Sequence, residues 1–180
     1  MILAARFAVC KCAIAPLRFG MEADMHKTFG IKDYKIYFDR KGAYLVPISG
    51  EKVGVVETAK GYFLLGGGIE GDETDEACIL RECMEEAGYQ VEIEEKVCSA
   101  ETYCEHPTIG NFHPVQVYYS GQLVRKIKEP VESDHVLRWV EYENIQGKMY
   151  LEMQNWAIEQ VWNMCSVNSG VPTDQPLPKK

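Results

Sequence analysis

Residues 67 to 89 read GGIEGDETDEACILRECMEEAGY, a glycine turn followed by a carboxylate-rich run that a further glycine ends. Thr74 is placed as an N-cap, with Asp75 and Glu76 in the first turn, where negative charge meets the positive end of the helix dipole. Gly88 is placed to stop the helix as its C′ residue, so the spacing predicts a helix over 74–87. At about 100° per residue, Ala77, Leu80, Cys83, Met84 and Ala87 fall in one apolar sector, with Glu82, Glu85 and Glu86 roughly opposite. The pattern predicts one face that packs and another that carries acid.

The three glutamates stand at i, i+3 and i+4, so their like charges repel over adjacent turns, and a bound cation would remove that penalty. Hard divalent ions take oxygen ligands, and Mg2+ binds through a few carboxylates plus waters and substrate phosphates. Spacing alone does not decide the matter, because an acidic helix face is usually a solvated one.

The longer register decides it. Gly67, five residues, Glu73, seven residues, then Arg81-Glu82-Cys83-Met84-Glu85-Glu86-Ala87-Gly88-Tyr89 resembles the Nudix box, the signature of the Nudix hydrolases. That pattern is G, five residues, E, seven residues, R-E-U-x-E-E-x-G-U, with U a bulky apolar residue. Cys83 is a small occupant of the first U and Tyr89 a polar-tipped occupant of the second, while Leu65 stands where many relatives have proline.

The resemblance implies an α/β fold, the Nudix-type α/β/α sandwich with a mixed β-sheet. It also implies hydrolysis, dependent on Mg2+ or Mn2+, of the diphosphate bond in a nucleoside diphosphate linked to another moiety, by water attack on phosphorus. By analogy Glu82, Glu85 and Glu86 are the metal-binding and catalytic carboxylates, with Glu73 and Arg81 in support. Gly67 and Gly68, in the run that begins at Gly66, permit close backbone approach to a metal or phosphate and are the candidate substrate-binding positions. Two rivals bear on the same motif. A silent nucleotide-binding module or regulator would be expected to lose one of the carboxylates, and this chain keeps them all. An isoprenyl diphosphate isomerase would need its own cysteine and glutamate acid–base pair.

A catalytic carboxylate outside the box has to be argued locally. Glu132 is the first choice as auxiliary ligand or base and His135 the second, because both precede the strand-like run 136–142, whose entry would overlie the metal site. Glu101, Glu105 and His106 form another candidate rim, set against the reading that a stretch holding Pro107 and Gly110 is an ordinary loop.

The whole chain has 180 residues, 46% of them hydrophobic, enough for one domain with a sizeable core. A net charge of -8 argues against long nucleic acids as partners, whereas a small anionic substrate remains compatible through a bound metal. Seven cysteines, an odd number with two on the acidic helix, read as reduced thiols of a cytoplasmic protein. There is no run of about 20 apolar residues to cross a membrane. Residues 26–166 are read as the Nudix domain. Residues 1–25 are read as an extension outside the native protein if Met21 or Met25 is the start, and 167–180 as a disordered polar tail.

Strands are expected at 34–38, 43–48, 53–57, 62–65, 91–104, 113–124 and 136–142, with a last helix over 150–165. In the pair Tyr118 and Tyr119, alternation predicts one core and one surface ring. The strand over 113–124 is a candidate sheet edge, and a homodimer paired across it is the expected assembly.

Overall fold

The computed structural model describes residues 25–131 and 134–168; Glu132, the first-choice outer carboxylate, lies outside them, as do residues 1–24 and 169–180. The chain runs β1 (His26–Gly30), β2 (Phe38–Ser49), β3 (Lys52–Thr58), β4 (Gly61–Phe63), β5 (Leu65–Gly68), α1 (Asp75–Glu86), β6 (Tyr89–His106), β7 (Gly110–Lys126), β8 (Val136–Glu141), α2 (Tyr142–Ile145) and α3 (Glu152–Asn168). Strand order is β1-β6-β7-β2-β3-β4, with β5 pairing β2 and β8 pairing β3. β1 runs parallel to β6 and β2 parallel to β7, while the remaining pairs are antiparallel. The sheet is therefore mixed, and the fold class is α/β.

Period-two alternation along the strands feeds two cores. Leu45, Leu65 and Tyr119 pack with Cys78, Ile79 and Cys83 of α1. Their immediate neighbours Val46, Leu64 and Tyr118 point the other way and pack with Met153, Ile158 and Val161 of α3. One helix on each face gives the three layers. Tyr118 and Tyr119 are consequently both buried, one in each core, and the expected surface ring does not exist.

Several other expectations are corrected. Residues 31–37 form no strand: Asp33 accepts hydrogen bonds from Lys35 N and the Tyr37 hydroxyl, a local turn that leaves Ile31, Tyr34 and Ile36 exposed. β1, which the sequence reading did not anticipate, pairs with β6 instead. The strand over 113–124 is no edge, because β2 runs beside it from Phe38 to Pro47 and β6 lies on its other side. The pairing of copies expected there has no free strand to use. The last helix runs over Glu152–Asn168, where 150–165 was expected.

The glycine run is also a strand rather than a turn. Gly66 to Gly68 lie in β5 against Tyr44 to Gly42 of β2, and Gly66 has φ 135°, a backbone conformation that favours glycine. A Cβ at Gly66 would run into the Ala43 carbonyl, so only glycine lets the two strands approach this closely.

Candidate active site

The cap residues of α1 are those the sequence predicts. The Thr74 side chain accepts from Ala77 N at 3.2 Å, and Gly88, at φ 72°, follows the C-cap Ala87. Cys83 and Ala87 of the expected apolar sector pack, but the packing face is shifted away from the rest of it. Cys78, Ile79, Cys83 and Glu86 are buried, whereas Leu80 is 48% exposed and Ala77 faces solvent. The helix is rotated so that Glu82 and Glu86 lie within its packing face and point at β5. The physical reason is β5 itself: a strand of glycines leaves room for carboxylates where side chains would otherwise sit. A Cβ on Gly67 would collide with the Glu82 carboxylate.

Glu86 is the most enclosed of the three, at 8% exposure. Burying a carboxylate is costly unless it is hydrogen-bonded. Here Gly66 N donates to Glu86 Oε2 at 3.1 Å, and His135 Nδ1 lies 3.6 Å from Glu86 Oε1. The second-choice residue His135 thus stands beside a box carboxylate, brought there by the connection from β7 to β8.

Arg81 fastens the remaining acids. Its Nε and NH2 donate to the two oxygens of Glu73 at 3.2 and 2.6 Å, its NH1 to Glu82 Oε1 at 2.9 Å and to Glu85 Oε2 at 3.4 Å. A further bond to the Gly68 carbonyl, 3.1 Å, ties the helix to β5. The forked guanidinium suits such bidentate work. Its hydrogen bonds hold the Glu73 carboxyl down to about 2. Glu73 also accepts from Glu70 N at 2.9 Å, which pins the loop between β5 and α1. The Glu85 side chain is the most open of the three glutamates, 46% exposed.

Two adjoining hollows meet at this face. One, of about 270 Å³, is lined by Glu86, Gly66, Asp134, His135, Tyr44, Lys60 and Phe63 among others. The second, of about 350 Å³, shares Tyr44, Lys60 and Phe63 with it and extends over Gly68, Arg40, Gln116 and Gln154. Glu105 and His106 of the candidate rim line this second hollow. Glu101 is turned elsewhere, accepting from the Thr28 hydroxyl at 3.0 Å and lying 3.2 Å from His113 Nε2.

The donor set of α1 is three carboxylates with oxygen ligands, suited to a hard divalent cation. Among the described residues no three His, Cys, Asp or Glu side chains converge as a ready-made cage. A few carboxylates completed by water and phosphate are what a magnesium site uses, so the donor chemistry fits. Cys78 and Cys83 on the same helix are buried thiols; burial pushes Cys78 up to about 11 and Cys83 higher still, which leaves neither poised as a nucleophile.

A mixed sheet thus lies between two helices, and an Arg-fastened carboxylate helix faces a glycine strand. The chain belongs to the Nudix family: the NUDIX domain matches residues 39–160. That family places it among the pyrophosphohydrolases acting on phosphorus-containing anhydrides. No curated protein sequence matches it. Among solved structures it is similar to a NUDIX hydrolase from Nitrosomonas europaea, at 19% identity and TM-score 0.60, over 71% of this chain and 90% of that one. It is also similar to a MutT NUDIX hydrolase from Burkholderia pseudomallei, at 20% identity and TM-score 0.56, over 69% and 98%. A UDP-X diphosphatase shares 18% identity and a TM-score of 0.54, over 77% and 66%. At these identities the structural likeness establishes the fold.

Sequence reasoning passed over Asp134, Tyr44, Arg40, Lys60 and Gln116. The lining positions of β2 and β7 are ordinary strand residues in the sequence, and only the pairing of those strands collects them.

Proposed function

We propose that the protein hydrolyses the diphosphate bond of a nucleoside diphosphate linked to another moiety, using a divalent cation held by Glu82, Glu85 and Glu86. The observation that carries this reading is Glu86: a buried carboxylate, held by the Gly66 amide, that lines a hollow sharing Tyr44, Lys60 and Phe63 with the larger cleft. A buried acid facing a cavity is seldom a solvated face, and its placement suits ligand binding.

When bound, a divalent cation, Mg2+ or Mn2+, neutralises phosphate oxygens and raises the acidity of water. The chain's own groups do the rest. Arg81 keeps Glu73, Glu82 and Glu85 in register, and Gly66 N orients Glu86. Lys60 lines both hollows, and Arg40, with its guanidinium lying over Gly68, lines the larger one; together they offer cationic contacts to a diphosphate spanning the hollows. His135, beside Glu86, is positioned to take the proton of the attacking water. Glu132, three residues before it, is the carboxylate candidate in the same connection. Gly67 and Gly68 contribute by leaving space. The resemblance to a protein named UDP-X diphosphatase is in keeping with a nucleoside diphosphate substrate.

The test is product release from nucleoside triphosphates and nucleotide sugars with and without divalent cation, followed by chromatography of the nucleotide product. Cleavage within the diphosphate, lost with EDTA, is the expected result. Cation-independent cleavage would overturn the reading.

A further inference from the structure

The larger cleft holds a buried amide whose orientation is fixed by a chain of hydrogen bonds. Leu64 N donates to Gln154 Oε1 at 3.2 Å. A backbone N–H can only donate, so the Gln154 oxygen must face it, and Gln154 Nε2 is turned to donate to Gln116 Oε1 at 3.3 Å. The Tyr118 hydroxyl donates to the same oxygen at 2.8 Å. With its carbonyl committed twice, Gln116 presents its NH2 group to the cleft it lines. Gln116 is 4% exposed and Gln154 fully buried, and among the described residues nothing accepts a hydrogen bond from Gln116 Nε2.

The donor is open to the cleft, and a ligand acceptor placed there would take its hydrogen bond in place of water. The register sets the strand of Gln116 one strand away from β5. Gln116 pairs with Gly42 of β2, and Gly42 pairs with Gly68 of β5, so a glycine is all that separates Gln116 from the strand facing α1. Around it stand the surfaces a planar ring would use. Phe63 and Tyr150 lie 5.0 Å apart between ring centres, and Phe112 lines the same cleft.

We propose that Gln116 selects the base of the nucleotide: its locked NH2 donates to a ring carbonyl, so the cleft takes uracil or keto-purine nucleotides over their amino counterparts. This rests on the nucleotide reading above and names the substrate class within it. An amino group at the same ring position sets donor against donor and leaves both unpaired, and sites built on a hydrogen bond discriminate strongly for that reason. Gln154 acts only through Gln116 and is a positioning residue.

The test is kcat/KM for UTP against CTP and for ITP against ATP, which differ in carbonyl or amino at one ring position and in the adjoining ring nitrogen. The ratio within one preparation is independent of the fraction of folded enzyme. Wild type is expected to favour UTP and ITP by roughly tenfold or more, the scale of one unpaired buried group. Gln116→Glu keeps an oxygen for Tyr118 and Gln154 but offers an acceptor to the cleft, and is expected to reverse the order. Gln154→Met is expected to narrow the ratio while UTP is still turned over. Equal rates for both pairs in wild type would overturn the base selection and leave the hydrolase standing. Failure to turn over or bind any nucleotide would overturn both. Should Gln116→Glu not fold, the wild-type ratios decide.

Discussion

Among single residues, the carboxylates of α1 are not interchangeable. Glu85 is half-exposed and Glu86 enclosed, yet both are assigned to one cation. Glu85→Gln and Glu86→Gln keep size and a carbonyl oxygen, so the Gly66 N–H retains its acceptor and the fold is expected to survive. Each is expected to lower kcat by roughly 10²- to 10³-fold, the range for removing one preorganised electrostatic group. Steady-state kinetics at saturating cation, with circular dichroism as the folding control, checks this. Glu73 answers to a different measurement. Arg81 holds its carboxyl down to about 2, whereas an unfolded glutamate titrates near about 4.3. Its stabilisation is therefore fully present above the unfolded value and is lost as pH falls through that window toward about 2. Glu73→Gln is expected to lower Tm at neutral pH and to flatten the acid decline between about pH 4.5 and 2. A decline as steep as that of wild type would show that the Glu73–Arg81 pair does not stabilise the fold.

At the scale of the element, α1 shows what a periodic sequence discloses and what it conceals. The caps, the length and the family register were all legible, because each is set by local chemistry at fixed offsets. The packing face was not. Hydrophobicity alone selects Leu80 and Met84 for the core, but the helix turns Glu82 and Glu86 inward because β5 is made of glycine. No pattern within the helix carries that information. Thermal or denaturant unfolding separates the two faces: Ile79→Ala is expected to cost about 2–5 kcal/mol, as for a buried side chain. Leu80→Ala is expected to stay within about 0.5 kcal/mol, as for a surface change. Gly67→Ala presses a methyl against the Glu82 carboxylate and is expected to reduce kcat far more than it reduces Tm, read by pairing kinetics with a melt. Equal costs for Ile79→Ala and Leu80→Ala would contradict the rotation.

At the scale of the molecule, the sandwich brings together residues distant in sequence. Arg40, Gly68 and Gln116 come from three strands and line one cleft because β2 runs parallel to β7 and antiparallel to β5, and Gln154 of the last helix joins them there. The existence of most strands and both long helices could be read from alternation and periodicity, but their order could not, which is why the strand over 113–124 looked like an edge. Site residues within the box were legible for the opposite reason, since one short segment carries them all. Among the described residues no helix is long and apolar enough to cross a membrane. Removal of divalent cation is expected to abolish turnover while leaving the far-ultraviolet circular dichroism unchanged, because two apolar cores, one on each face of the sheet, hold the layers together. Loss of secondary structure on adding EDTA would make the cation structural instead.

The most direct test of the central claim is turnover of a panel of nucleoside triphosphates and nucleotide sugars with Mg2+, with Mn2+ and with EDTA, using wild type beside Glu85→Gln and Glu86→Gln. Cleavage of at least one nucleotide within its diphosphate, dependent on the cation and lost in both variants, is the predicted result. Well-folded, cation-loaded wild type that cleaves none of them, or variants that cleave as fast as wild type, would contradict it.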